Sequence, residues 1–225
     1  MAAVNRRYNL ERLKTNCLAL TREKKVTVHL DLIAGLPFEG VDSFAHSFDW
    51  TFRLNPDELQ VGFLKLLKGS PLREKAEEYG YLYTEIPPYE ILESTWLSYQ
   101  DLLYLKMVEE MVGKFFNSGH FHHTLAFILK DEDTSPWRFF STLAGYWEEK
   151  GLAQMGHKQS VLFDHLWNFL ELTSSQWYSP EEKEKVRDLL TFDYYLSGAG
   201  RSSRLAQPSI EAVAGKGESW LKASR

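Results

Sequence analysis

The chain has 225 residues, 44% hydrophobic and 25% charged, with a formal net charge of -5 at pH 7. That length holds one large domain or two modest ones around a substantial core, and the acidic balance argues against a general nucleic-acid binder. No apolar run approaches the roughly 20 residues that a bilayer-spanning helix needs, and the single cysteine, Cys17, excludes an internal disulfide, a multi-cysteine zinc site and an iron–sulfur cluster held by this chain's own thiolates. A cytoplasmic protein without a membrane partner is expected.

Taken in order, residues 9–24 read as an amphipathic helix, with Leu10, Leu13, Cys17 and Leu20 at helical spacing on one face. Residues 26–33 alternate as a strand: Val26, Val28, Leu30 and Leu32 on one face, Thr27, His29, Asp31 and Ile33 on the other. Gly35 and Pro37 stop it. Asp42-Ser43 then offers caps for a helix over 42–54 that sets Phe44, Phe48 and Phe52 at i, i+4 and i+8. A second strand is expected over 59–66. Two strands joined by one helix within about 30 residues make a βαβ unit, which crosses over with a right hand and pairs its strands in parallel. Ser70-Pro71 opens a short helix that ends near Gly80, and residues 81–88 are extended, fit for an edge strand.

From about residue 89 strand alternation is absent and helical spacing takes over. Helices are expected over 98–116, 122–129, 136–149, 160–172 and from Ser179-Pro180-Glu181-Glu182 to about residue 195, the last start combining a cap, a proline and early acids. Residues 198–225 are rich in Ser, Gly, Ala and basic residues and are expected to be a poorly ordered tail. The reading is α/β followed by all-α: residues 1–88, a helical domain over 89–197, and the tail.

In an α/β protein the loops at the carboxyl ends of parallel strands form the ligand crevice. Asp31 and Ile33 face the same way there, and a carboxylate so placed either accepts hydrogen bonds from ribose hydroxyls or is a solvated charge at a strand end. His29, two residues before Asp31, lies about 7 Å from it along the strand, so the two could act as acid and base through water or substrate. His120, His122 and His123 are imidazoles close in sequence, but neither helix nor strand aims all three at one point. Glu109-Glu110 and Glu148-Glu149 are adjacent pairs, about 100° apart on a helix, and read as solvated surface. Arg6 could bind a carboxylate or phosphate bidentately.

Taken together, VNRR, HLDLIAGLPFEGVDSF and LKGSPL, in this order, resemble the second half of a radical S-adenosylmethionine (SAM) barrel. The closest branch contains oxygen-independent coproporphyrinogen dehydrogenase and the cobalamin-binding radical SAM proteins. PYEILES and LLTFDYYLSG resemble the uncharacterised helical domain carried by some cobalamin-binding members. The resemblance implies a partial (β/α) barrel with parallel strands followed by a helical domain. It implies that Arg6 meets the SAM carboxylate, Asp31 the ribose hydroxyls and Ile33 the adenine, with Gly35 in the same cofactor-binding loop. Glu39 lies one position later than in the glycine-rich form of the motif and receives no role.

Such enzymes hold a four-iron four-sulfur cluster on three closely spaced cysteines, which this chain lacks. The expectation is therefore a C-terminal portion that contributes half of a SAM site and is inactive alone. Its partner is the upstream part of the same protein, which carries the cluster. The parent acts on an unidentified substrate through a 5'-deoxyadenosyl radical, with cobalamin a further cofactor in one branch. The alternative is a non-catalytic helical binding module whose α/β segment is a scaffold, in keeping with an aromatic content of 14% and the missing cluster ligands.

Overall fold

The computed structural model describes residues 9–23, 25–153, 156–200, 203 and 205. They group into two compact units, one within residues 9–119 and 135–153 and the other within residues 120–134 and 156–205.

In the first unit, helix α1 (Leu10–Glu23) starts on Asn9, whose Oδ1 accepts from the Arg12 amide at 2.9 Å. Its expected apolar face is only partly used. Cys17 is buried, whereas Leu10 and Leu20 are 52% and 46% exposed. Strand β1 (His29–Ala34) pairs in parallel with β2 (Glu58–Phe63), His29 opposite Glu58 and Ala34 opposite Phe63. Between them runs helix α2 (Val41–Phe52). Its N-cap is Gly40 rather than Asp42 or Ser43, and the Ser43 hydroxyl instead donates to the Gly40 carbonyl at 3.0 Å.

Phe44 and Phe48 of α2 are buried. Their rings meet the indole of Trp137 edge-on, and Phe48 also meets Phe140, so the phenylalanine stripe packs on a helix. That helix is α6 (Pro136–Glu149), and α2 caps it: Asp49 accepts from the Ser135 hydroxyl and the Trp137 amide, both at 2.6 Å. A carboxylate on the first amides of a helix offsets unpaired donors and the helix dipole together.

Beyond β2 the chain keeps its direction and pairs antiparallel with residues 89–91: the Ile91 amide donates to the Leu64 carbonyl at 3.0 Å and the Leu66 amide to the Tyr89 carbonyl at 2.9 Å. After the single-turn helix α3 (Pro71–Glu74), strands β3 (Leu82–Tyr83) and β4 (Ile91–Glu93) form a second, antiparallel pair. A strand thus lies beyond residue 89, where none is expected from the sequence; three residues are too few for alternation to show. Among the described residues the parallel sheet has two strands, so the fold here is mixed α/β with a helical C-terminal region, and no barrel is formed.

Helix α4 (Tyr99–Met111) opens on a capping box in which Ser98 and Asp101 each bind the other's amide, and passes into a π-helical turn (Val112–Asn117). Leu102, Leu105, Val108 and Met111 are buried along α4, as are Phe139, Phe140, Leu143 and Trp147 along α6.

The second unit holds α5 (His122–Ile128), α7 (Gln159–Leu172) and α8 (Lys183–Ser197), the last preceded by a short 3-10 turn (Pro180–Glu182) with a Ser179/Glu182 capping box. Phe163 sits between Phe121, 4.3 Å away by ring centroids, and Tyr194, 5.2 Å away. Of the segment expected to be a loose tail, Ser203 and Leu205 are buried, and the Ser203 hydroxyl donates to Asp164 at 2.8 Å. Helical periodicity does not register such a contact, because it is made by single side chains in irregular backbone. Most of the expected tail lies outside the described residues.

Candidate functional site

The parallel register sorts the β1–β2 side chains onto two faces. Leu30, Leu32 and Ala34 share one face with Leu59, Val61 and Phe63, and Ala34, Leu59 and Val61 are buried there. The other face carries His29, Asp31 and Ile33 beside Glu58, Gln60 and Gly62, and it is open: His29, Asp31 and Gln60 are exposed, and Ile33 is 37% exposed. A sheet with one packed face and one solvated polar face is ordinary in antiparallel proteins, but parallel strands are normally covered on both sides.

The edges differ as well. Val28 and Ala34 accept backbone hydrogen bonds from Glu58 and Leu64, so the even-numbered residues of β1 face β2. The amides and carbonyls of His29, Asp31 and Ile33 therefore point to the opposite edge, where no strand pairs among the described residues. At the far edge of β2 a side chain takes the place of a strand at Leu59. The Asn117 amide accepts from the Leu59 N–H at 2.9 Å and donates to the Leu59 carbonyl at 3.0 Å, as a neighbouring strand would.

At the carboxyl end of β1, Gly35 has φ +95°, and a Cβ there would stand 2.1 Å from the Ile91 Cδ1. Its carbonyl accepts from the buried Tyr81 hydroxyl at 2.8 Å. Glycine is thus demanded by backbone and packing together, since any side chain would meet both a rare conformation and a filled space. Phe38, also at positive φ (67°) yet 66% exposed, lies against Trp96 and Tyr79 at centroid distances of 4.7 and 5.8 Å. Next to it, Glu39 has a buried Oε2 without a hydrogen-bond partner among the described residues, and its Oε1 receives the Ser47 hydroxyl at 3.5 Å. Burial pushes its carboxyl above the usual range, against the lowering effect of Ser47.

Of the residues singled out in the sequence, Asp31 and Ile33 share the open face and Gly35 ends the same strand, while Arg6 lies outside the described residues. His29 binds Glu58 across the strands, with Nδ1 3.0 Å from Oε2. The three imidazoles are not brought together as a metal centre; among the described residues no group of three or more His, Cys, Asp or Glu side chains could hold a metal ion. Instead the His123 Nδ1 lies 2.7 Å from Asp193, a side chain 2% exposed that also accepts from the amides of His123 and Thr124 and from the Thr124 hydroxyl. Glu110 and Glu148, from different adjacent pairs, line one shallow cleft with Lys106 and Tyr104, and Glu110 is paired with Lys114 at 3.3 Å.

Sequence reasoning missed Glu39, the Phe38–Tyr79–Trp96 cluster and Asp193. For Asp193 a signal was present: it falls on the stripe of Val186 and Leu190, at i+7 and i+3, where a lone carboxylate needs a buried partner. For the aromatic cluster there was none, because its members come from separate loops.

The strand pair ends before the part of the chain that comparison identifies. No curated protein matches the sequence. The model of the family described as protein of unknown function (DUF4080) matches residues 77–215, more than half of the chain, and the protein belongs to that family.

Proposed function

We propose that this chain is the C-terminal portion of a radical SAM enzyme, that its β1–β2 unit is the end of a partial (β/α) barrel, and that it supplies half of the SAM site without being active alone. The observation that carries the reading is the state of β1: an edge that no strand pairs among the described residues, beside a solvated face that bears Asp31 and Ile33. A strand contributed by the preceding part of the protein fits that edge, and a nucleoside fits that face. The family supports it, since its domain is found in radical SAM and cobalamin-associated proteins.

The residues present suit the nucleoside and not the cluster. Asp31 offers a carboxylate to ribose hydroxyls and Ile33 an apolar surface to adenine, and by the resemblance Gly35 belongs to the same loop. By the resemblance Arg6 meets the SAM carboxylate. Cys17, the one thiol, is buried on α1 with no second cysteine, so the four-iron four-sulfur cluster belongs to the upstream part. When bound there, the cluster and SAM would supply radical chemistry toward the substrate. This chain's part is to orient the nucleoside and exclude water.

The test is to read the DNA directly upstream in frame and express the extended protein anaerobically. A closely spaced cysteine triplet is expected, with SAM binding weakened about tenfold by Asp31→Ala, the scale of a lost charged hydrogen bond. A stop codon immediately before Met1 with no triplet nearby, or unchanged SAM affinity in Asp31→Ala, overturns the proposal and leaves the non-catalytic binding module.

A further inference from the structure

Just past the antiparallel extension of β2, Arg73 is held in a way that a solvated surface arginine is not. Its guanidinium stands over two tyrosine rings, 4.9 Å from the centroid of Tyr83 and 5.3 Å from that of Tyr89, and its Nη1 donates to the Leu66 carbonyl at 3.0 Å. Lys68 reaches the same Tyr89 ring, its Nζ 5.7 Å from the centroid. Tyr89 itself sits at φ 61°, a conformation that costs a bulky residue energy and that recurs at ligand sites. Among the described residues no carboxylate pairs with either cation: Glu90, next to Tyr89, is committed to Lys106. The result is a guanidinium fixed in orientation, with one hydrogen bond to protein among the described residues, and a second cation on the ring of Tyr89.

We propose that Arg73 and Lys68 form a binding site for an oxyanion, a carboxylate or phosphate group. Three features favour this over a purely structural clamp. The aromatic faces pre-orient the fork of donors that matches a carboxylate or phosphate edge, so little side-chain freedom is lost on binding. One donor suffices for Leu66, which leaves the others for a ligand. The turn that places the two cations leaves the sheet by way of residues 64–66, the carboxyl end of β2, which is the ligand side of a parallel sheet. The site stands apart from the nucleoside reading of β1, and the two fail separately, because this one needs no upstream partner.

The test uses the full chain at fixed ionic strength, titrated with inorganic phosphate, with succinate and with chloride as control, while the Arg73 side-chain N–H resonance is followed by NMR. A saturable shift with phosphate or succinate, absent with chloride, is expected. Arg73→Lys should weaken it about tenfold and Lys68→Ala about threefold, as the loss of charge-assisted contacts predicts. Tighter binding of phosphate marks a phosphate ester as the ligand group, and tighter binding of succinate a carboxylate. An unmoved Arg73 resonance with both anions, or unchanged affinity in both variants, overturns the proposal and makes the guanidinium a clamp between its rings and Leu66.

Discussion

Glu39 is a carboxyl group whose surroundings oppose its charge. Burial raises its pKa above 4.5, so between 4.5 and that raised value the folded chain binds more protons than the unfolded chain. Stability from this group therefore falls as pH rises through that window. Glu39→Gln removes the charge while keeping the shape. Its melting temperature should exceed that of the natural chain at pH 7, and the gap should close toward pH 4. Thermal unfolding at the two pH values checks this, and equal curves at pH 7 would mean that the carboxylate is solvated. Glu39 had no legible signal, since an acid after Pro37-Phe38 reads as loop surface; its burial depends on the fold of residues far along the chain. Gly35 is the opposite case: Gly-Leu-Pro marks a strand end in the sequence itself, although the contact with Ile91 that forbids a side chain there appears only after folding.

Between elements, one carboxylate of α8 gathers several hydrogen bonds from the start of α5. Asp193 accepts the amides of His123 and Thr124 and the Thr124 hydroxyl, so it caps α5 from the middle of another helix. Asp193→Ala strands these donors in a buried place and should cost about 3–5 kcal/mol of stability. Urea denaturation measures it, and a loss below about 1 kcal/mol would show that water replaces the carboxylate. Helix existence was legible throughout, because 3.6-residue periodicity and the Ser98, Ser135 and Ser179 starts are local facts. The short strands β3 and β4 were not, being held by cross-chain pairing such as Leu66 to Tyr89 rather than by their own pattern. Likewise Phe44 and Phe48 announced a buried stripe, but not that Trp137 and Phe140 would help to bury it.

For the chain as a whole, the open edge of β1 has a consequence that does not depend on SAM. A parallel strand whose outer edge no strand pairs among the described residues, set near the exposed Val26 and Ile33, is a template for another chain. The isolated chain should self-associate with rising concentration, and Ile33→Lys, which places a charge beside that edge, should suppress it. Sedimentation velocity at a low and a high concentration decides; a monomer throughout would show that the edge is covered. The sequence by itself determined the order and type of the long elements, the parallel sense of the β1–α2–β2 unit and the lack of cluster thiolates, because these follow from periodicity, chain connectivity and residue count. Only the tertiary structure decided which strand edge is left unpaired among the described residues, that Asn117 binds Leu59 at the other, and that Arg73, Tyr83 and Tyr89 meet. Those contacts join residues far apart in sequence, and local pattern carries no record of distance in space.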